Sequence, residues 1–173
     1  VQTCALPIWV ETTTQSAIRQ ASARCRQLRR GLVAYLSAPG YGEMFAEAGR
    51  LNGLDVQLVY FRGHMECRAS KWTPDTQALA RLMSGIRCMG GRTQIGRVLK
   101  HLKAEATAGK VNACIYIGDA LEEPIDELAQ HAGEIGLLGI PVFMFQEGRD
   151  ATAEAGFREI ARLTRGAYFR FGS

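Results

Sequence analysis

The sequence predicts an α/β domain, a doubly wound and mostly parallel sheet with helices on both faces. Three observations predict it. The segments 54–61, 111–117 and 140–145 are strand-like and largely continuous in apolar residues, as interior strands covered on both faces must be. Helical patterns of about 10–15 residues separate them, the alternation produced by right-handed βαβ units. Finally, Gly90-Gly91-Arg92-Thr93 opens a helix and Ile115-Tyr116-Ile117-Gly118-Asp119 ends a strand. These put a hydroxyl and a carboxylate where parallel strands run out, the edge at which such sheets bind ligands.

Taken in order, residues 1–42 stand apart from residues 43–173. The first segment has Thr12-Thr13-Thr14, scattered Arg and one strand-like run, Gly31 to Leu36. Val1 to Ile8 reads like the translation of a sequencing-adapter tail. Residues 1–8 are therefore expected to be non-coding and residues 9 to about 41 out of frame, with the true frame resuming near Gly42-Glu43-Met44-Phe45. From Glu43 to Leu51 a helix end is expected, closed by Asn52-Gly53. A strand over 54–61 follows, then a turn at Arg62-Gly63-His64 and a short antiparallel edge strand within Glu66–Trp72. Thr73-Pro74-Asp75 predicts a helix start with Thr73 as its cap and Leu79, Leu82 and Met83 as its apolar face. After the Gly-Gly loop, Ile95, Val98, Leu99, Leu102 and Ala106 recur at helical spacing. A strand over 111–117, a helix from about Pro124, a strand over 140–145, a helix through Phe157, Ile160 and Ala161 capped by Gly166, and a terminal strand at Ala167–Phe171 complete the pattern.

Composition narrows the function. The chain has 173 residues, 47% hydrophobic and 22% charged, which suits one globular domain with a full core. No apolar run approaches the roughly 18 residues of a membrane span, and residues 1–10 lack a basic region and a cleavage site, so neither a membrane nor a signal peptide is expected. Net charge is +4, but residues 1–42 hold five Arg and one acid, whereas residues 43–173 hold 16 basic and 16 acidic residues. The neutral globular part argues against nucleic acid as a partner. The five cysteines, Cys4, Cys25, Cys67, Cys88 and Cys114, have no metal or redox spacing, so reduced thiols in a cytoplasmic protein are expected.

Few residues carry chemistry. Gly85-x4-Gly90-Gly91-Arg92-Thr93 has the glycines of a phosphate loop but no Lys before the hydroxyl, which argues against nucleotide binding. His64, His101 and His131 are dispersed, and no nucleophile–base pair stands out, so no catalytic residue is assigned. Thr93 is either the cap of the helix that follows or a hydroxyl facing a cation. Asp119 is either a first-turn acid of the next helix or a carboxylate at the sheet edge, and Glu122 and Glu123 are expected to be solvated first-turn acids.

The ordered set of strand 54–61, Gly-Gly-x-Thr at 90–93, Gly-Asp at 118–119, strand 140–145 and Thr-x-Gly-x-Tyr-Phe at 164–169 resembles the von Willebrand factor type A (VWA) domain over residues 43–173. The stretches 53–63, 118–123 and 133–148 resemble a bacterial, cytoplasmic branch of it. The resemblance implies a Rossmann-like sheet with a metal-ion-dependent adhesion site, which binds Mg²⁺ or Mn²⁺ and a protein ligand through that ligand's acidic side chain. Thr93 and Asp119 match two of its metal-binding positions. The third part, Asp-x-Ser-x-Ser after the first strand, has no match: Leu36-Ser37-Ala38 offers one hydroxyl and no Asp. The first central strand is thus expected to be missing or replaced, with Leu32–Leu36 the available substitute, and the adhesion site to be a remnant. The alternative is a metal-dependent hydrolytic enzyme on a similar sheet, using Asp119.

Overall fold

Six strands form one sheet in the order β3-β2-β1-β4-β5-β6 in a computed structural model, which describes residues 31–36, 55–86, 90–109 and 111–170. The strands are β1 (Gly31–Leu36), β2 (Val56–Arg62), β3 (Glu66–Ala69), β4 (Val111–Gly118), β5 (Val142–Gln146) and β6 (Ala167–Arg170). All neighbours are parallel except the edge pair β2–β3. This is the doubly wound order, in which the chain reverses its direction of travel across the sheet between β1 and β4. The helix end expected at 43–51 lies outside the described residues. The central slot is filled by the expected substitute: β1 pairs Leu32 with Val56 on one side and Leu36 with Ile117 on the other.

The described helices are α1 (Thr76–Ser84), α2 (Ile95–Thr107), α3 (Ile125–Leu137) and α4 (Ala151–Leu163). Alternation across β4 and β5 divides the core. Cys114, Tyr116 and Met144 pack with Val98, Leu102, Leu128, Ala132, Phe157 and Ile160 of α2, α3 and α4. The intervening Ile115, Ile117, Phe143 and Phe145 are buried too, so both faces of the sheet are covered. Burial pushes the Cys114 thiol up to about 12, which fits an inert core residue. Among the described residues no helix is long and apolar enough to cross a membrane.

Two expected caps belong to other residues. Asp75, not Thr73, caps α1 by accepting from the Ala78 N–H at 2.9 Å, while the Thr73 hydroxyl accepts from the Asp75 N–H. Within α1, Leu79 and Met83 are buried but Leu82 is exposed. At the end of α4 the left-handed residue is Arg165, with φ of 56°, not Gly166. Gly166 is needed for a different reason: a Cβ there would lie 1.8 Å from the Val142 carbonyl oxygen, so the chain turns against the start of β5.

Candidate functional site

Strands β1, β2, β4 and β5 end at the same edge, and β1 and β4 are the pair at which the winding reverses. The loops 62–65, 90–94, 119–124 and 147–150 gather there. Loop 90–94 rests on the turn after β2, since a Cβ on Gly91 would fall 2.0 Å from the Gly63 carbonyl oxygen. The buried Gln94 amide donates to the carbonyls of Gly63 (3.2 Å) and Arg62 (3.4 Å), and Arg97 reaches the Met65 carbonyl at 2.7 Å. The side-chain oxygen of Gln94 has no hydrogen-bond partner among the described residues.

The same loop is tied to the segment after β4. The Thr93 N–H donates to the Glu122 carboxylate at 2.9 Å, and the Glu122 N–H donates to the Thr93 hydroxyl at 3.0 Å. Glu123 then accepts from the N–H groups of Ile95 (2.6 Å) and Gly96 (2.8 Å). These are orphan donors of the first turn of α2, whose own N-cap, Gln94, makes no side-chain cap bond. A carboxylate there meets both the free N–H groups and the positive end of the helix dipole. Thr93 is therefore not the cap of α2, and Glu122 and Glu123 serve a neighbouring helix rather than their own. Glu123→Ala is expected to cost about 1–2 kcal/mol, as loss of a good cap does. Faster amide exchange at Ile95 and Gly96 would report it, and unchanged exchange at both would contradict it.

Thr93 and Asp119 thus lie on two loops that the Glu122 bonds hold together. The Thr93 hydroxyl oxygen accepts one hydrogen bond and keeps a second lone pair. Asp119 directly follows β4, six residues before α3 begins at Ile125, so it is not a first-turn acid. Its carboxylate is partly exposed and makes no hydrogen bond or ion pair to another described residue. Both groups are hard oxygen donors of the type that Mg²⁺ or Mn²⁺ takes. Among the described residues, no three His, Cys, Asp or Glu side chains are grouped as metal ligands. One hydroxyl and one carboxylate are too few donors for a closed cage, and a cation there would keep several waters.

A further acid stands at this edge. Glu147 directly follows β5, is 8% exposed, and donates its N–H to the Gly118 carbonyl at 2.9 Å. Burial pushes its carboxyl above the usual carboxylate range. A carboxyl raised in this way contributes stability fully below the unfolded value of about 4.3, and that contribution is lost as pH rises through the folded value. Glu147→Gln, free of metal, is accordingly expected to raise the melting temperature at about pH 7.5 and leave it unchanged near pH 4. Equal shifts at the two pH values would contradict this.

The fold is that of VWA domains. The chain is similar to an aerotolerance-related membrane protein from Bacteroides fragilis (17% identity over 83% of this chain and 91% of that one, TM-score 0.58). It is also similar to the SpRpn10 VWA domain (10% identity, 81% and 85% covered, TM-score 0.58). A third similar structure is proximal thread matrix protein 1 from the mussel byssus with a zinc-occupied MIDAS motif (13% identity, 81% and 40% covered, TM-score 0.58). No protein-family model and no curated protein sequence matches the chain.

In sequence Glu147 carries the same signal as Asp119, an acid immediately after a buried strand. The clamp by Glu122 and Glu123 had no such signal, because their partners lie 27–29 residues away.

Proposed function

We propose that this chain is a protein-binding module in which Mg²⁺ or Mn²⁺ is held at the carboxyl edge of the sheet by Thr93 and Asp119, with an acidic side chain of the partner completing the ion's shell. The observation that carries it is the reciprocal pair of bonds between Thr93 and Glu122, which keeps the hydroxyl's loop alongside the loop that Asp119 begins. The VWA fold and the zinc-occupied MIDAS motif of the mussel protein support the metal. A cation bound mostly by water and neutral oxygens stays electrophilic, which favours capture of a carboxylate over hydrolysis. A bacterial cytoplasm suits the unpatterned cysteines.

Calorimetric titration with Mg²⁺ and Mn²⁺ tests this reading. The wild-type chain is expected to bind Mn²⁺ weakly, and Asp119→Asn to lose that binding while remaining folded. Binding that survives Asp119→Asn would remove the site from this edge. Metal-dependent hydrolysis lost on Asp119→Ala would favour an enzyme instead.

A further inference from the structure

The ligand edge is unevenly charged. Residues 62–68 and 90–97 carry four arginines against one acid, Glu66, whereas residues 119–127 carry five acids and no base. Glu66 does not neutralise the positive side. It is already shared by Arg62 at 2.7 Å and Arg68 at 2.6 Å. Arg62 and Glu66 face each other across the β2–β3 hairpin, and the alternate positions Phe61 and Cys67 pack on the core with α2. Glu66 and its two partners therefore lie on the face away from α2.

The other two arginines lie at the tip of this hairpin. Arg97, in the first turn of α2, places its guanidinium on the Met65 carbonyl at 2.7 Å and the Met65 sulfur at 3.4 Å, both uncharged. Arg92 is flanked by Gly91, which lies against the Gly63 carbonyl, and by Thr93, which is bonded to Glu122. It thus stands between the hairpin tip and the site hydroxyl. Arg92 and Arg97 are exposed, and neither has an acidic partner among the described residues. Met65 beside Arg97 is 73% exposed, and residues 62–68 line an open groove of about 600 Å³.

A guanidinium without an acid presents a planar fork of donors that matches a carboxylate. We propose that the hairpin tip and loop 90–94 form a docking surface for an acidic segment of a partner protein, whose carboxylates meet Arg92 and Arg97 and whose apolar side chain covers Met65. The proposal rests on the cation site described above at one point: the acid that completes the ion's shell belongs to the same segment. Charge then sets the segment's course, across Arg92 toward the hairpin, because the acids of 119–127 repel it on the other side. A nucleic-acid backbone fits less well, since its phosphates would run over both halves of the edge.

Fluorescence anisotropy with a labelled Glu-Glu-Leu-Glu-Glu peptide, in Mn²⁺ and in EDTA, tests this alongside calorimetric Mn²⁺ titration. The wild-type chain is expected to bind this peptide and not Gln-Gln-Leu-Gln-Gln. The double variant Arg92→Glu, Arg97→Glu is expected to weaken the peptide by about tenfold. It should bind Mn²⁺ at least as tightly as the wild type, because two positive charges near the ion are gone. Equal peptide affinity in the double variant, or no peptide binding by a wild type that binds Mn²⁺, would overturn the docking surface and leave the cation site standing. Arginine-dependent binding that is unchanged in EDTA supports the surface and removes the cation from the reading. Tighter binding of a labelled single-stranded DNA than of the peptide would overturn the choice of partner. Should the double variant not fold, amide shifts on adding the peptide to the wild type in Mg²⁺ decide. Shifts at His64, Met65, Arg92 and Arg97 are expected, and shifts confined to residues 119–124 would overturn the surface.

Discussion

Replacing Phe157 with alanine is expected to remove about 3–5 kcal/mol of stability, the range for truncating a fully buried aromatic residue. Phe157 lies on α4 with no solvent exposure, and its ring meets Tyr116 of β4 edge-on at 5.3 Å and 75°. Such a pair adds about 0.5–1.5 kcal/mol beyond the area it buries. The cavity would open between α4 and the central strand whose end carries Asp119. Because domains of this size retain only about 5–15 kcal/mol in total, the variant should sit near its unfolding midpoint under mild conditions. Urea denaturation monitored by circular dichroism measures this, and a loss below about 1 kcal/mol would mean that the contact is not made as described.

Gly91→Ala is expected to act on the site more than on the fold. The added methyl would lie 2.0 Å from the Gly63 carbonyl oxygen, and both chains at that point are backbone, so no flexible side chain can yield. Overpacking of this kind costs about 1–3 kcal/mol, and it is relieved most directly by lifting loop 90–94 off the turn after β2. That movement would break the Gln94 bonds to Arg62 and Gly63 and pull Thr93 from Glu122. Cation binding should then fall while the sheet persists. Amide shifts at Thr93 and Glu122 report the displacement, and wild-type Mn²⁺ affinity in Gly91→Ala would show that docking of this loop is not required.

The parts of this molecule that could be read from sequence are those whose cause is local. β4 and β5 are buried on both faces, so they appear as unbroken apolar runs, and α2 shows its buried Ile95, Val98, Leu99 and Leu102 at helical spacing. Thr73 and Gly166 looked like caps because their types favour that role, yet Asp75 and Arg165 fill it. At Gly166 the need for glycine comes from the Val142 carbonyl, which is distant in sequence. Glu122 and Glu123 bond to the start of a helix other than their own for the same reason. Their charge suits a helix start, and only the tertiary structure decides which helix.

That last pair has a consequence for how the molecule assembles. The first turn of α2 is secured by a carboxylate 27 and 28 residues downstream, on the far side of β4. When α2 emerges during synthesis its leading end has no capping side chain of its own, and it acquires one only after β4 has joined the sheet and the loop beyond it has arrived. Completion of that helix and closure of the ligand edge are then a single cooperative event, and a nascent chain ending before Asp119 would carry a frayed α2.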